Sequence, residues 1–238
     1  MPLPCLRSRL LLAAASTLAA GAVHATDANA VTPPVKIRDA SVQIGDRSVH
    51  LPPGDWTLVQ VKDFQGTLRL RDIDVTTAWA VLLRDGRFGM AMQLSLPLKD
   101  MARDRRTPDK NPCTAREGVL RGDYSHGHSE MECLAVFGHH DLQAILQQRG
   151  PHAAKWLRRK GVPDVDDGVE FTYSHRDGLA YGRVAFYFPA RDFQSDDDAA
   201  GWARAVQQAF EPLIERKATD VTLPALPAPA SNAAGARP

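Results

Sequence analysis

The sequence predicts an α+β fold: an antiparallel sheet built from hairpins, with helices packed on one side. Three observations carry this prediction. Apolar positions two apart recur at Val42–Ile44, Val49–Leu51 and Phe88–Leu96, as strands with one buried face require. Turn-forming pairs separate these runs at hairpin spacing, while apolar spacings of three and four are confined to the stretches after Asp141 and after Ser195. The resulting order of strands, hairpin, loop, strand, helices, hairpin and helix lacks the regular strand–helix alternation of a parallel sheet.

The first thirty residues stand apart. Arg7 and Arg9 precede an uncharged run from Leu10 to Ala22, which is too short for a stable membrane span and ends in Val23-His24-Ala25 and Ala28-Asn29-Ala30. This reads as a signal peptide over 1–30, cleaved after Ala25 or Ala30, and implies a periplasmic or secreted protein without a membrane anchor. Cys5 lies before the apolar run and leaves with it, so it cannot carry a lipid at the cleavage point.

One α+β domain is expected over 31–218. Gly45-Asp46 makes a first hairpin between Val42–Ile44 and Val49–Leu51, and Pro53-Gly54 suits a type II turn before a strand from Trp56 to Phe64. Gly66 is expected to break that strand, with a short one following over Leu68–Ile73. Asp85-Gly86 turns the clearest hairpin, Thr76–Leu83 with Phe88–Leu96, placing Phe88, Met90, Met92, Leu94 and Leu96 on one face of a half-buried sheet. From Pro97 to about Ser125 the periodicity ends and charges crowd between Lys99 and Lys110, which reads as a long surface loop. Met131–Phe137 is the next strand, and Asp141 caps a helix carrying Leu142, Ile145 and Leu146. Gly150-Pro151 interrupts it, Pro151 starts a second helix, and Gly161 closes that one after Arg158–Lys160. Val169–Tyr173 and Arg183–Phe188 form a late hairpin. A terminal helix follows Ser195, with Trp202, Val206, Phe210, Leu213 and Ile214 in one apolar stripe. The Pro/Ala-rich tail, 219–238, is expected to be disordered.

Charge narrows the function classes. The chain holds 29 Lys and Arg against 28 Asp and Glu. Cleavage after Ala30 would remove Arg7, Arg9 and Asp27, giving a mature chain of no net charge. Such a balance argues against a nucleic-acid partner, which requires a clustered positive field. Cys113 and Cys133 are the two cysteines left after cleavage, and an even pair in an oxidising compartment reads as a disulfide. The spacing is not C-x-x-C, so the expected bond is structural rather than catalytic.

The densest set of ligand-type residues runs from Tyr124 to Cys133, with His139-His140-Asp141 beyond it. On one continuous strand His126, His128, Glu130 and Glu132 would project to one side, as zinc or copper ligands could. The simpler reading makes them the solvated start of a strand whose other positions, Met131, Cys133, Ala135 and Phe137, face the core. A hydrolytic set of Ser125, His139 and Asp141 lacks the G-x-S-x-G elbow, and neither G-x-x-x-x-G-K-[ST] nor G-x-G-x-x-G occurs. Met90 and Met92 share a face with Phe88, Leu94 and Leu96, which makes them core rather than copper ligands.

The reading that follows is an exported, non-catalytic binding or interaction module of the bacterial envelope. It would use its sheet and the Lys99–Ser125 loop to meet an envelope protein or ligand, and needs no cofactor. The alternative is a metal-binding protein or metal-dependent enzyme, with zinc or copper on His126, His128 and Glu130.

Overall fold

A computed structural model describes residues 25–67, 72–97, 119–126, 131–164, 166–176 and 181–226. With strands numbered in chain order, the larger sheet runs β2 (Val35–Lys36), β5 (Asp55–Thr67), β6 (Asp72–Arg84), β7 (Arg87–Pro97), β11 (Tyr181–Pro189), β10 (Gly168–Arg176), β9 (Met131–His140), β8 (Val119–His126). Every neighbouring pair in it is antiparallel. A smaller sheet sets β1 (Thr26–Asp27), β3 (Ser41–Ile44), β4 (Arg47–His50) and β12 (Asp220–Thr222) side by side. There β3 and β4 form the expected Gly45-Asp46 hairpin, while β1 and β12 join its edges in parallel. The class is α+β, as the sequence predicts.

Local chemistry accounts for the elements. Asp85 and Gly86 both have positive φ, 51° and 76°, the signature of a type I′ turn whose twist matches the strands it joins. Gly54 has positive φ as expected, but at 156° it lies well past the value of about 80° in a type II turn. Asp141 caps α1 (Leu142–Arg149) by accepting from Ala144 N at 2.9 Å, and Pro151 opens α2 (Pro151–Arg159). Ser195 caps α3 (Asp196–Ile214) by accepting from Asp198 N at 3.1 Å, next to three aspartates at the positive end of the helix dipole.

The main core lies between α3 and one face of the large sheet. Trp56, Met90, Met92, Phe171, Phe186 and Phe188 join Trp202, Val206 and Phe210 in one buried cluster. Trp202 meets Phe186 edge-on at 5.1 Å and Phe188 at 5.0 Å, a geometry that adds to the burial of each ring. Met90 and Met92 are core residues. Trp56 is too, and its indole N–H donates to Pro52 O at 2.8 Å.

Several expectations are corrected. The helices do not share one side: α3 covers one face, and α1 with α2 covers part of the other, over Val59, Trp79, Val81, Ala91, Ala185 and Tyr187. The reason is that the α1–α2 arm has its own buried stripe, Leu142, Leu146, Ala153, Ala154, Trp156 and Leu157, which must meet apolar surface. The sheet is therefore not half-buried. Phe88 leaves the Met90–Leu96 face, because the register shifts between Leu82 and Leu83 and Gly89 becomes the extra residue of a bulge. Gly66 does not end its strand, since it pairs with Ile73 in the β5–β6 ladder.

The charged loop ends sooner than expected, as Val119–His126 pairs with β9; residues 98–118, including Cys113, lie outside the described residues. On β9 the main core takes Leu134 and Val136, whereas Cys133, Ala135 and Phe137 form a small cluster on the opposite face. The tail is ordered where it starts. Asp220–Thr222 pairs with β4, Leu223 is buried, and Trp202 Nε1 donates to Ala225 O at 2.9 Å. Residues 227–238 lie outside the described residues.

Candidate functional site

The helical arm covers only one end of its sheet face. α1 and α2 sit over the row Val81, Ala91 and Tyr187, where small or aromatic side chains pack against Leu146 and Ala153. Farther along the strands the same face continues as rows set by cross-strand pairing. One row reads Gln60, Trp79, Gln93, Ala185, Thr172, Ala135; the next reads Lys62, Thr77, Ser95, Arg183, Ser174, Cys133. Apart from Trp79 and Ala185, which the arm still covers, these rows are mostly polar. A polar face cannot attract a helix by apolar burial, so it remains open as a groove.

The groove has two compartments. A cavity of about 560 Å³ lies over β5, β6, β7 and β11, lined by Gln60, Lys62, Phe64, Val75, Thr77, Trp79, Gln93, Ser95, Arg149, Pro151, Arg176, Tyr181 and Arg183. A smaller one of about 280 Å³ lies over β9, β10 and β11, lined by Met131, Cys133, Ala135, Phe137, Thr172 and Ser174 together with Arg149, Tyr181 and Arg183. Arg149, Tyr181 and Arg183 belong to both, so β11 is the divide.

The electrostatics are one-sided. Four of the described lining residues are cationic, Lys62, Arg149, Arg176 and Arg183, and none is a carboxylate. Arg149, at the end of α1, pairs with Glu170 of β10, whose carboxylate is wholly buried. Thr172 Oγ1 also donates to that carboxylate, at 3.2 Å. Arg183 differs from Arg149. Its Nε is buried and donates to no acceptor among the described residues, and an unmet donor of that kind favours an added anion. Burial raises the Tyr181 phenol above its ordinary range, although Arg183 and Arg176 pull it down. Tyr181 therefore stays a neutral hydrogen-bond donor at the divide. Phe64, at 54% exposure, is the exposed large apolar side chain of the described residues, and it stands at the mouth of the larger cavity.

Sequence reasoning singled out other residues. His126 pairs with Met131 at the end of β8, while His128 and Glu130 lie outside the described residues. Glu132 does not continue one strand with His126. The chain reverses between His126 and Met131, so Glu132 lies opposite Ser125 and faces the main core. There its carboxylate accepts from Tyr173 Oη at 3.0 Å and Gln207 Nε2 at 2.6 Å. Among the described residues no group of three or more His, Cys, Asp and Glu is placed to hold a metal ion. Ser125 and the His139–Asp141 segment sit at opposite ends of β9, about 23 Å apart at strand rise, so they form no triad.

Sequence reasoning did not single out Arg149, Tyr181 or Arg183. A usable signal was there in β11, where Tyr181 and Arg183 occupy the positions that alternate with buried Val184 and Phe186. What turns them into a site is the neighbouring strands and the end of α1. No protein family, curated protein or solved structure matches this chain.

Proposed function

We propose that this protein is an exported, non-catalytic binding module of the cell envelope, periplasmic or secreted, and that it holds an anionic ligand in the groove on the outer face of the large sheet. The observation that carries the reading is the set of four cations and the absence of any carboxylate among the described lining residues, with the aromatic rings of Tyr181 and Phe64 beside them. A cavity of this size, formed mostly by strands, has the volume of a small-molecule site, and its polar, cationic lining suits a charged ligand. The N-terminal apolar run supports export. The described residues contain no helix long and apolar enough to cross a membrane.

The test is titration of the purified chain with 1-anilinonaphthalene-8-sulfonate, an aromatic anion whose fluorescence rises on leaving water. One saturable site is expected, with binding lost in Arg183→Gln and weakened by salt. Equal binding by the wild type and by Arg183→Gln would overturn the groove as the site.

A further inference from the structure

The order of chemistry along the groove is more specific than its charge. On the β9 side of the divide, Met131, Cys133, Ala135 and Phe137 make a mostly apolar trough, with Thr172 and Ser174 beside them. On the β7 side, Gln60, Thr77, Gln93 and Ser95 offer uncharged hydrogen-bonding groups beside the cationic Lys62 and Arg176, and Thr77 and Ser95 already bond to each other at 2.9 Å. Between them stand the two guanidinium groups, and their charge is not equal in effect. Glu170 offsets Arg149, which leaves Arg183 as the cation at the divide that, among the described residues, has no carboxylate paired to it and no acceptor for its buried Nε.

Resting on the groove reading above, we propose that the ligand is a single-chain phosphodiester amphiphile, the chemistry of a lysophospholipid. Its acyl chain lies in the Met131–Phe137 trough, its phosphodiester meets Arg183, with Arg149 and the Tyr181 hydroxyl alongside, and its polar head occupies the larger cavity. A phosphodiester is anionic, as a groove lined by Lys62, Arg149, Arg176 and Arg183 favours, and it sits between an apolar and a polar part. A fatty acid has its anion at one end and would leave the polar cavity unfilled. A free phosphate or glycerophosphodiester would leave the trough unfilled. Arg suits the phosphodiester because its planar fork can meet two of the phosphate oxygens at once.

The experiment is calorimetric titration of the full chain with three probes, each kept below its micellar concentration: 1-lauroyl-lysophosphatidylglycerol, laurate and glycerophosphoglycerol. The lysolipid is expected to bind at least about tenfold more tightly than either fragment, because each fragment forfeits one compartment. Arg183→Gln should weaken the lysolipid by about tenfold, the scale of one charge-assisted hydrogen bond. Ser174→Phe, which fills the trough, should reduce lysolipid binding toward that of glycerophosphoglycerol, and the second variant keeps the test decisive if the first fails to fold. Laurate binding as tightly as the lysolipid overturns the phosphodiester assignment, as does lysolipid binding that neither variant changes. If either happens while the naphthalene sulfonate still binds through Arg183, the groove stands and only its ligand class has been misassigned. If that dye binding is lost as well, both readings fall.

Discussion

Trp79 of β6 and Tyr187 of β11 stack with ring centroids 5.5 Å apart and planes 16° from parallel, although β7 runs between their strands. They can lean together because Ala91 is the β7 residue paired with Tyr187, and its methyl leaves room above the sheet. The stack forms the floor under the helical arm. On top of it lies Gly150, where a Cβ would come within 2.7 Å of the Trp79 ring. The joint between α1 and α2 therefore rests its backbone directly on the indole.

Gly150→Ala is expected to destabilise the protein by about 1–3 kcal/mol, the usual cost of forcing extra volume into a packed site. Urea unfolding followed by circular dichroism checks the magnitude, and a change in tryptophan emission reports the displaced indole. Because Arg149 and Pro151 flank the same glycine and line the groove, naphthalene sulfonate binding should weaken too. Unchanged stability would mean that the joint moves freely on the sheet.

Stability should decline in alkali. Burial, and after it the Glu170 carboxylate, push the Tyr187 phenol up to about 12, against the pull of Arg149 and Arg183. In the unfolded chain a tyrosine ionises near pH 10, so between these values the folded state keeps a proton that the unfolded state gives up. The contribution is complete below about pH 10 and is lost as pH rises toward 12, by roughly 3 kcal/mol in all. Tyr187→Phe should remove that part of the alkaline slope when urea midpoints are compared at about pH 9 and pH 11. Tyr173, also raised by burial and then by Glu132, should preserve the remainder.

Two C-terminal changes should both be costly. Phe210, with no exposed surface, is expected to lose about 3–5 kcal/mol on replacement by alanine. Truncation after Thr219 removes β12, the buried Val221 and Leu223, and the Ala225 acceptor of the Trp202 indole. At about 1.5–3 kcal/mol for each buried aliphatic side chain, the loss should be at least roughly 3 kcal/mol. A truncated chain that melts with the full-length one would show that the small sheet contributes nothing to global stability.

Within the proposal of export, processing should occur after Ala25 and not after Ala30. Thr26 and Asp27 pair with β3, Thr26 Oγ1 accepts from Arg38 N at 2.9 Å, and Ala28 is buried in the main core. A chain starting at Val31 would lose all three. Intact mass of the envelope form should place the first residue at Thr26, and under non-reducing conditions it should be two hydrogens lighter than the reduced chain, the mark of a Cys113–Cys133 bond. A start at Val31 or two alkylatable thiols would contradict the respective expectation.

Much of the architecture is local and so was legible in the sequence. The Asp85-Gly86 turn, the caps at Asp141 and Ser195, the Pro151 helix start and the α3 stripe each depend on residues a few positions apart, where turn geometry and side-chain period decide the outcome. What only the tertiary structure decided depends on which strands become neighbours. Arg183 lies beside Ser95, far from it in sequence, and Arg149 is carried to it by a helix that packs on a face the alternation alone left to solvent. The same holds for Phe88, turned to the other face by a one-residue bulge, and for Glu132, separated from His126 by a chain reversal. The side-chain period is two, so a shift of one residue exchanges the two faces, and no local propensity registers that exchange. Order in the tail has a similar origin, since Val221 and Leu223 gain a buried position only once β4 and α3 are in place to cover them.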